Sequence, residues 1–541
     1  MRSIQTLKKV VLLLTLTVGS VFSQTAPFQI ALQTTTISGL GGIQSFAWGQ
    51  HNGKWLIVGG RLDGLHRRQP FAAFDLAGHN TQLIVVDPVS LQKWSAPLSS
   101  LPTGMQEQFS STNMAFYQKG DYLYLIGGYG YSNTSQDHIT FPNLSAIKVP
   151  DVINAIVNGT GFSSYCRQLS DTLFAVTGGV LNTINNTYYL TGGQKFTGRY
   201  NPMGPTHGPG FVQHYTNAIR KFNINDNGIT LSVSHLPSSY DPVNLHRRDY
   251  NVVSQILPTG EEGITAFSGV FQSTVDLPFL NCVNIDSTGY AVNNAFAQYY
   301  NHYHCARIPL YSTNSNEMHT LFFGGIAQYY DSSGVLVQDN NVPFVKTIAR
   351  VTRNANGTMS EYKLPIEMPS LLGAGSEFIP LENVPHFNNE VFKLDDFTAD
   401  TTLVGYIYGG ISSSAANVFF SNTSTPSIAS AQIFKVYIIK NSTVGVHELN
   451  PQSRGTLHLQ VSPNPNHGEF LIKFNLIKTE PIELSIFDTN GELLEKTRIE
   501  KPSLGENTLY KKVKGLGQGG VYFITLETLY EKATQKIIID P

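Results

Sequence analysis

Tyr, His and Arg crowd a few short stretches of this chain. One group comprises His66-Arg67-Arg68, Tyr129, Tyr131, Arg199-Tyr200, His207, His214-Tyr215 and Tyr329-Tyr330-Asp331. A second comprises Tyr165-Cys166-Arg167, His246-Arg247-Arg248 and the run Tyr299-Tyr300-Asn301-His302-Tyr303-His304, with Arg307 just beyond. Aromatic rings can stack on sugar faces, and a guanidinium can grip a carboxylate through two parallel hydrogen bonds. Candidate ligand-binding residues are therefore Arg67, Tyr129, Tyr131, Arg167, Tyr200, His246, Arg248, Tyr300, His302, His304, Arg307, Tyr330 and Glu377. His302-x-His304 has metal-ligand spacing, but no third ligand is fixed beside it, so no metal or cofactor is expected. No nucleophile elbow, P-loop or dinucleotide fingerprint is present.

Elements that would carry these residues repeat along the chain. An apolar strand ending in a glycine pair recurs, as in Trp55-Leu56-Ile57-Val58-Gly59-Gly60 and Tyr122-Leu123-Tyr124-Leu125-Ile126-Gly127-Gly128. The second glycines fall at 60, 128, 193, 269, 325 and 410, with Ser268 replacing the first glycine of the fourth pair. Glycine suits a strand that leaves a crowded inner region. Each sheet alone leaves its faces bare, and radial stacking buries them. Long loops after the glycine pairs and the sheet-to-sheet connections then share one face, which gathers the Tyr, His and Arg clusters. Arg167, Arg248 and Arg307 are expected to lead into the inner strands of three successive sheets, with Glu377 placed equivalently in the last. Ion pairing between sheets is the favoured reading of these groups; an acidic ligand in the central channel is the other. The extra pair Gly178-Gly179 reads as a turn between inner strands.

These repeats, with Asp87 and Trp94 closing the first, resemble kelch repeats. The resemblance implies an all-β fold, a six-bladed kelch-like β-propeller, with seven blades the alternative count. Phe28 to Ser38 is expected to complete the last blade, because closure removes an open edge. A copper-radical oxidase shares the blade type, but its Cys–Tyr crosslink and ligands find no match here.

The ends differ from the middle. Arg2, Lys8 and Lys9 precede an apolar run, Val10 to Val18, too short to span a bilayer, and residues 1–23 read as a signal peptide. Residues 24–450 are assigned to the propeller and 451–541 to a small β-sandwich. From 455 on, 21 of 87 residues are charged, against 53 of the preceding 454. That tail carries Ser462-Pro463-Asn464-Pro465 with Gly468, Ile486-Phe487-Asp488 with Gly491, Gly520-Val521-Tyr522-Phe523 and a terminal Lys536 to Ile539. It resembles the type A C-terminal sorting domain of the Bacteroidetes type IX secretion system. The resemblance implies the type IX machinery as partner, followed by release or attachment at the cell surface.

A formal net charge of −2 supplies no field for nucleic acid, and no transmembrane segment is expected. The three cysteines, Cys166, Cys282 and Cys305, leave a Cys282–Cys305 disulfide and three free thiols equally open. The expected function is exported binding of a glycan or surface polymer through the loop-rich face. Alternatives are an enzyme resembling kelch-type sialic-acid mutarotases, and a protein-interaction platform.

Overall fold

The computed structural model describes residues 27–66, 73–202, 210–332, 334–419, 426–440, 457–476, 479–489, 492–513, 519–528 and 532–540. The expected signal peptide, Arg67, His207 and Gly491 lie outside the described residues. Two compact units divide at Gln452/Ser453.

The first unit is a six-bladed propeller built of antiparallel four-stranded sheets. In the first blade Ala47–His51, Lys54–Val58, Gln82–Asp87 and Gln92–Pro97 follow one another from axis to rim. Its inner hairpin turns on Asn52 and Gly53, both at positive φ (49° and 74°), which matches strand twist. The next four blades begin at Ala115–Lys119, Val180–Ile184, Asn251–Ile256 and Ala306–Ser312. The sixth comprises Leu371–Pro380, Thr401–Ser413 and Ile433–Lys440, and Phe28–Thr35 adds its outermost strand. Both strands of that seam run antiparallel, Phe28 opposite Lys440 and Thr35 opposite Ile433.

Closure is visible at the axis. Six residues, one before or within each innermost strand, form an unbroken ring of backbone hydrogen bonds. Asn113 N–H donates to Ser45 O (3.1 Å), Gly178 to Asn113 (3.1 Å), Asp249 to Gly178 (3.1 Å), His304 to Asp249 (2.8 Å), Gly375 to His304 (2.9 Å) and Ser45 to Gly375 (2.8 Å). Six members close the circle, so the count is six and not seven.

Glycine pairs weld neighbouring blades. Gly60, Gly128, Gly193, Gly325 and Gly410 each donate N–H to a carbonyl of the following blade, at Ser111, Val176, Arg247, Leu372 and Ile43, over 2.9–3.1 Å. Aliphatic side chains fill the space behind them: Leu56, Val58, Leu83 and Val85 pack on Leu123, Leu125 and Ile147. Gly178-Gly179 is no turn between inner strands. It lies ahead of Val180–Ile184, where Gly178 occupies the axial ring and Gly179 backs onto Gly193. The actual turn is Asn185-Asn186, both at positive φ.

Among the features without a sequence forecast, two bear on the site. Val149–Val157 is a helix that buries Val149, Val152, Ile153 and Ile156, with Pro150 in its first turn. An accessory four-stranded sheet joins the long loops of blades two and three through Tyr129–Ser132, Asp137–Thr140, Gln194–Gly198 and Phe211–Tyr215. All three cysteines are buried and free, so the disulfide alternative falls, and burial pushes each thiol up to about 12.

The second unit stacks Gln460–Ser462, Glu469–Leu476 and Gly505–Lys512 against Leu493–Ile499, Ile482–Phe487, Gly520–Glu527 and Lys532–Ile539. Strict alternation buries Phe470, Ile472 and Phe474 on one sheet and Ile482, Leu484 and Ile486 on the other.

Candidate functional site

The residue after each glycine pair has a fixed fate: it turns back across the residue preceding its blade's ring member. Bridges pair Gln44 with Arg61, Thr112 with Tyr129, Thr177 with Gln194 and Arg248 with Val270. In blade five Tyr303 donates to Ile326 O (3.2 Å), and in blade six Ala374 faces Ile411. All of these residues except Ala374 line an axial cup of about 490 Å³, within the range of small-molecule sites. Long loops raise its walls with Phe74, Phe196, Tyr200, Phe271 and Phe419. Tyr129 ties wall to floor, since its hydroxyl donates to Gly198 O (2.7 Å) and accepts from Tyr200 N (2.8 Å).

Two arginines, Arg61 and Arg248, and three aspartates, Asp63, Asp249 and Asp276, line the cup. Arg61 is spoken for: Nε donates to Asp63 Oδ1 (2.8 Å), Nη2 binds the other oxygen, and Nη1 donates to Asp75 O (3.1 Å). Arg248 is held more loosely. Its Nη1 donates to Gln194 Oε1 (2.9 Å), its guanidinium lies 4.4 Å over Phe271, and Asp249 Oδ2 stands 3.7 Å from Nε. That buried Nε has no hydrogen-bond acceptor. Burial pushes the Asp249 carboxyl above the usual range, opposed by Arg248, His304 and a hydrogen bond with Tyr303. Asp249 is also held at φ 48°, a left-handed conformation stabilised by its ring bonds. Burial lowers His66 to about 4, so it stands neutral at the wall.

Around and below the ring the channel narrows, and three expected residues converge there. His304 Nε2 lies 2.9 Å from Glu377 Oε1, and Arg307 Nη1 lies 3.7 Å from Glu377 Oε2. The His304 approach is off the hydrogen-bond axis, which leaves Glu377 Oε1 without an in-line donor. A lower cavity of about 110 Å³ continues past Arg307 and Glu377 toward Glu390.

Other expected residues go elsewhere. Arg167 does not lead into an inner strand. The helix Val149–Val157 lengthens the connection, so Cys166–Ser170 is the outermost strand of blade two. There Arg167 grips Asp226 of blade three at 2.7 and 2.6 Å. His246 stacks on Tyr215 with centroids 3.7 Å apart, and Tyr131 packs edge-on against His138; neither lines the cup. Tyr330 sits in the hairpin Tyr329–Ser332/Val335–Gln338, also off the lining. His302 is fully buried: Nε2 meets Gln298 O (2.8 Å), and Nδ1 accepts from Gln328 N (3.1 Å). It therefore makes no metal pair with His304, and no metal-binding cluster occurs among the described residues.

Tyr300 is buried too, and its N–H, with that of Tyr299, donates to Glu361. Burial pushes the Glu361 carboxyl from its ordinary 4.5 up to about 8, against those two donors. Its folded value exceeds its unfolded value, so the stability it contributes is complete below about pH 4.5 and lost as pH rises through about 8. Thermal melts should show Tm falling across that window, and Glu361→Gln should flatten the fall. An unchanged slope in the variant would show that another group governs it.

Arg61, Asp63, Gln194, Asp249 and Tyr303 line the cup without having been forecast as ligand candidates. Their signal was register: three of them follow a glycine pair or adjoin a ring position.

In the second unit the motif residues brace one loop. Asn464 donates to Lys536 O (2.9 Å) and accepts from Ile538 N (2.8 Å), and Asn466 Oδ1 accepts from Gly468 N (2.8 Å), with Gly468 at φ 85°. Asp488 Oδ1 accepts from Glu492 N (2.8 Å) across its turn. A family model, the secretion system C-terminal sorting domain, matches residues 460–540. This tail is a type IX sorting domain. The sorting domain directs the chain to the type IX secretion machinery, and hence to the medium or the cell surface. No helix among the described residues is long and apolar enough to cross a membrane.

No curated protein matches the chain. Among solved structures, YjhT is similar at 11% identity with a TM-score of 0.41, over 75% of this chain and 99% of that one. A glycoside hydrolase family 43 arabinoxylan arabinofuranohydrolase from Bacillus subtilis, in complex with cellotetraose, is similar at 9% identity and TM-score 0.26, over 80% and 96%. Both scores are too low to bear on chemistry.

Proposed function

We propose that the propeller is an exported carbohydrate-binding domain that holds a sugar unit of a glycan or surface polymer in the axial cup. The observation that carries this reading is the cup itself: a cavity of about 490 Å³ with aromatic walls and fixed polar groups on its floor. Phe74, Phe196 and Tyr200 offer ring faces, while Arg248, Gln194 and Thr177 offer hydrogen bonds to hydroxyls. On this reading the ligand is a glycan and the blades are of the kelch type.

A second reading is favoured by one observation. His304, Arg307 and Glu377 converge beside the cup's floor, with Glu377 Oε1 buried and lacking an in-line donor. Such a set suits proton transfer at a sugar's anomeric centre, as in a mutarotase.

A glycan-array screen of the full chain, followed by proton NMR of any sugar that binds, tests both. Binding is expected, with loss of at least about tenfold in affinity for Tyr200→Ala. Accelerated anomer exchange that disappears in Glu377→Gln would transfer the function to the second reading. Absence of any glycan binding, with one protein recovered in pull-downs, would overturn the first.

A further inference from the structure

We infer that the cup is two-sided, and that its ligand is a sugar bearing an apolar substituent, alkyl, acyl or aryl. This rests on the carbohydrate reading and sharpens it. The argument comes from one register position repeated six times. After the glycine pairs, blades one to three present Arg61, Tyr129 and Gln194 to the floor, while blades four to six present Val270, Ile326 and Ile411, with Arg248, Asp276, Asn340 and Asn341 among the polar side chains that line the cup around them. The residue occupies the same register position in all six blades, so the split lies in the choice of side chain. Above the apolar half, Phe419 stacks on Phe344 (centroids 5.6 Å, planes 8° apart) and extends the same wall.

A ligand with hydroxyls all round would press some of them against Val270, Ile326 and Ile411, which can donate and accept nothing. Those hydroxyls would exchange water for no partner, and that penalty works against a bare sugar. An apolar substituent on that side reverses the sign, because it leaves water for a matching surface. The sugar ring then faces Arg61 and Gln194, with Arg248 at the boundary between the two sides. The lower cavity does not compete for this role, being about 110 Å³.

Calorimetric titration of the full chain with paired probes tests the inference. Methyl, butyl and phenyl glycosides of glucose, galactose, mannose, fucose and N-acetylglucosamine supply the pairs; butanol and phenol are the controls. At least one butyl or phenyl glycoside is expected to bind about tenfold or more tighter than its methyl partner, with the free alcohols failing to compete. Butyl against phenyl separates an aliphatic from an aromatic substituent. Phe419→Ala and Ile411→Asn should shrink the gap between the methyl glycoside and its butyl or phenyl partner. Equal binding of methyl and phenyl glycosides would overturn the two-sided cup while the carbohydrate reading stood. Binding by the free alcohols as tight as by their glycosides, or by no probe at all, would remove both.

Discussion

Alanine at Gly127 is expected to cost more than about 3 kcal/mol of folding stability. Two effects act together there. Gly127 has φ 67°, a left-handed conformation that costs a side chain about 1–2 kcal/mol. A Cβ at that position would also lie 1.8 Å from Val176 O, a backbone atom of the next blade. Its neighbour Gly128 donates to that same carbonyl (2.9 Å), so the blade cannot retreat without breaking the weld. Gly120 separates the two effects. It has φ 56° in the same blade, but nothing lies within 4 Å of its virtual Cβ. Gly120→Ala should therefore cost only the torsional share, about 1–2 kcal/mol. Urea denaturation of both variants decides the matter. Equal losses would mean that inter-blade contact is not what glycine protects.

Loss of the Asp226 carboxylate should be nearly as damaging. Asp226 is 1% exposed and Arg167 15% exposed, and they meet through two short bonds between blades two and three. Arg167 also donates to Gly228 O (2.9 Å) and lies 5.0 Å over the Tyr122 ring. Asp226→Ala leaves that guanidinium buried with its charge uncompensated, at a cost of about 3 kcal/mol or more. Converting both partners to apolar residues of similar size, Arg167→Met with Asp226→Leu, should recover much of the loss. A double-mutant cycle that gave no coupling would show the pair to be incidental.

Much of this fold was legible in the chain. Glycine after an apolar strand is demanded by contact with the next blade, so the pairs marked every blade, including the fourth, where Ser268 adopts the same positive φ (49°). The need to cover an edge likewise placed the N-terminal strand correctly. Misreadings had physical causes. Val149, Val152, Ile153 and Ile156 follow a helical spacing that starts beside Pro150, a signal eclipsed by the surrounding strands, and missing that helix moved Arg167 from rim to axis. The accessory sheet depends on loops from two different blades pairing with each other, which no local pattern encodes. Attention to residue type picked out Tyr129, Tyr200 and Arg248, which line the cup, and the His304–Arg307–Glu377 group, which converges beside it. It missed Arg61 and Gln194, because what brings them inward is their place after a glycine pair and not their chemistry. His302 and Tyr300 looked functional for the opposite reason: both are polar types buried in the interior, where the His302 ring holds backbone and the Tyr300 N–H is held by Glu361.

Phe28 finds its mate, Lys440, more than 400 residues downstream. Until synthesis has passed that point, the growing polypeptide carries a bare, alternately greasy ribbon with nowhere to dock. Closure of this wheel thus waits on a contact very remote in sequence, of the kind that slows folding. The same seam makes the starting point arbitrary. A permuted chain, with the old ends joined and new ones opened between two other blades, would inherit the same circle with its clasp moved.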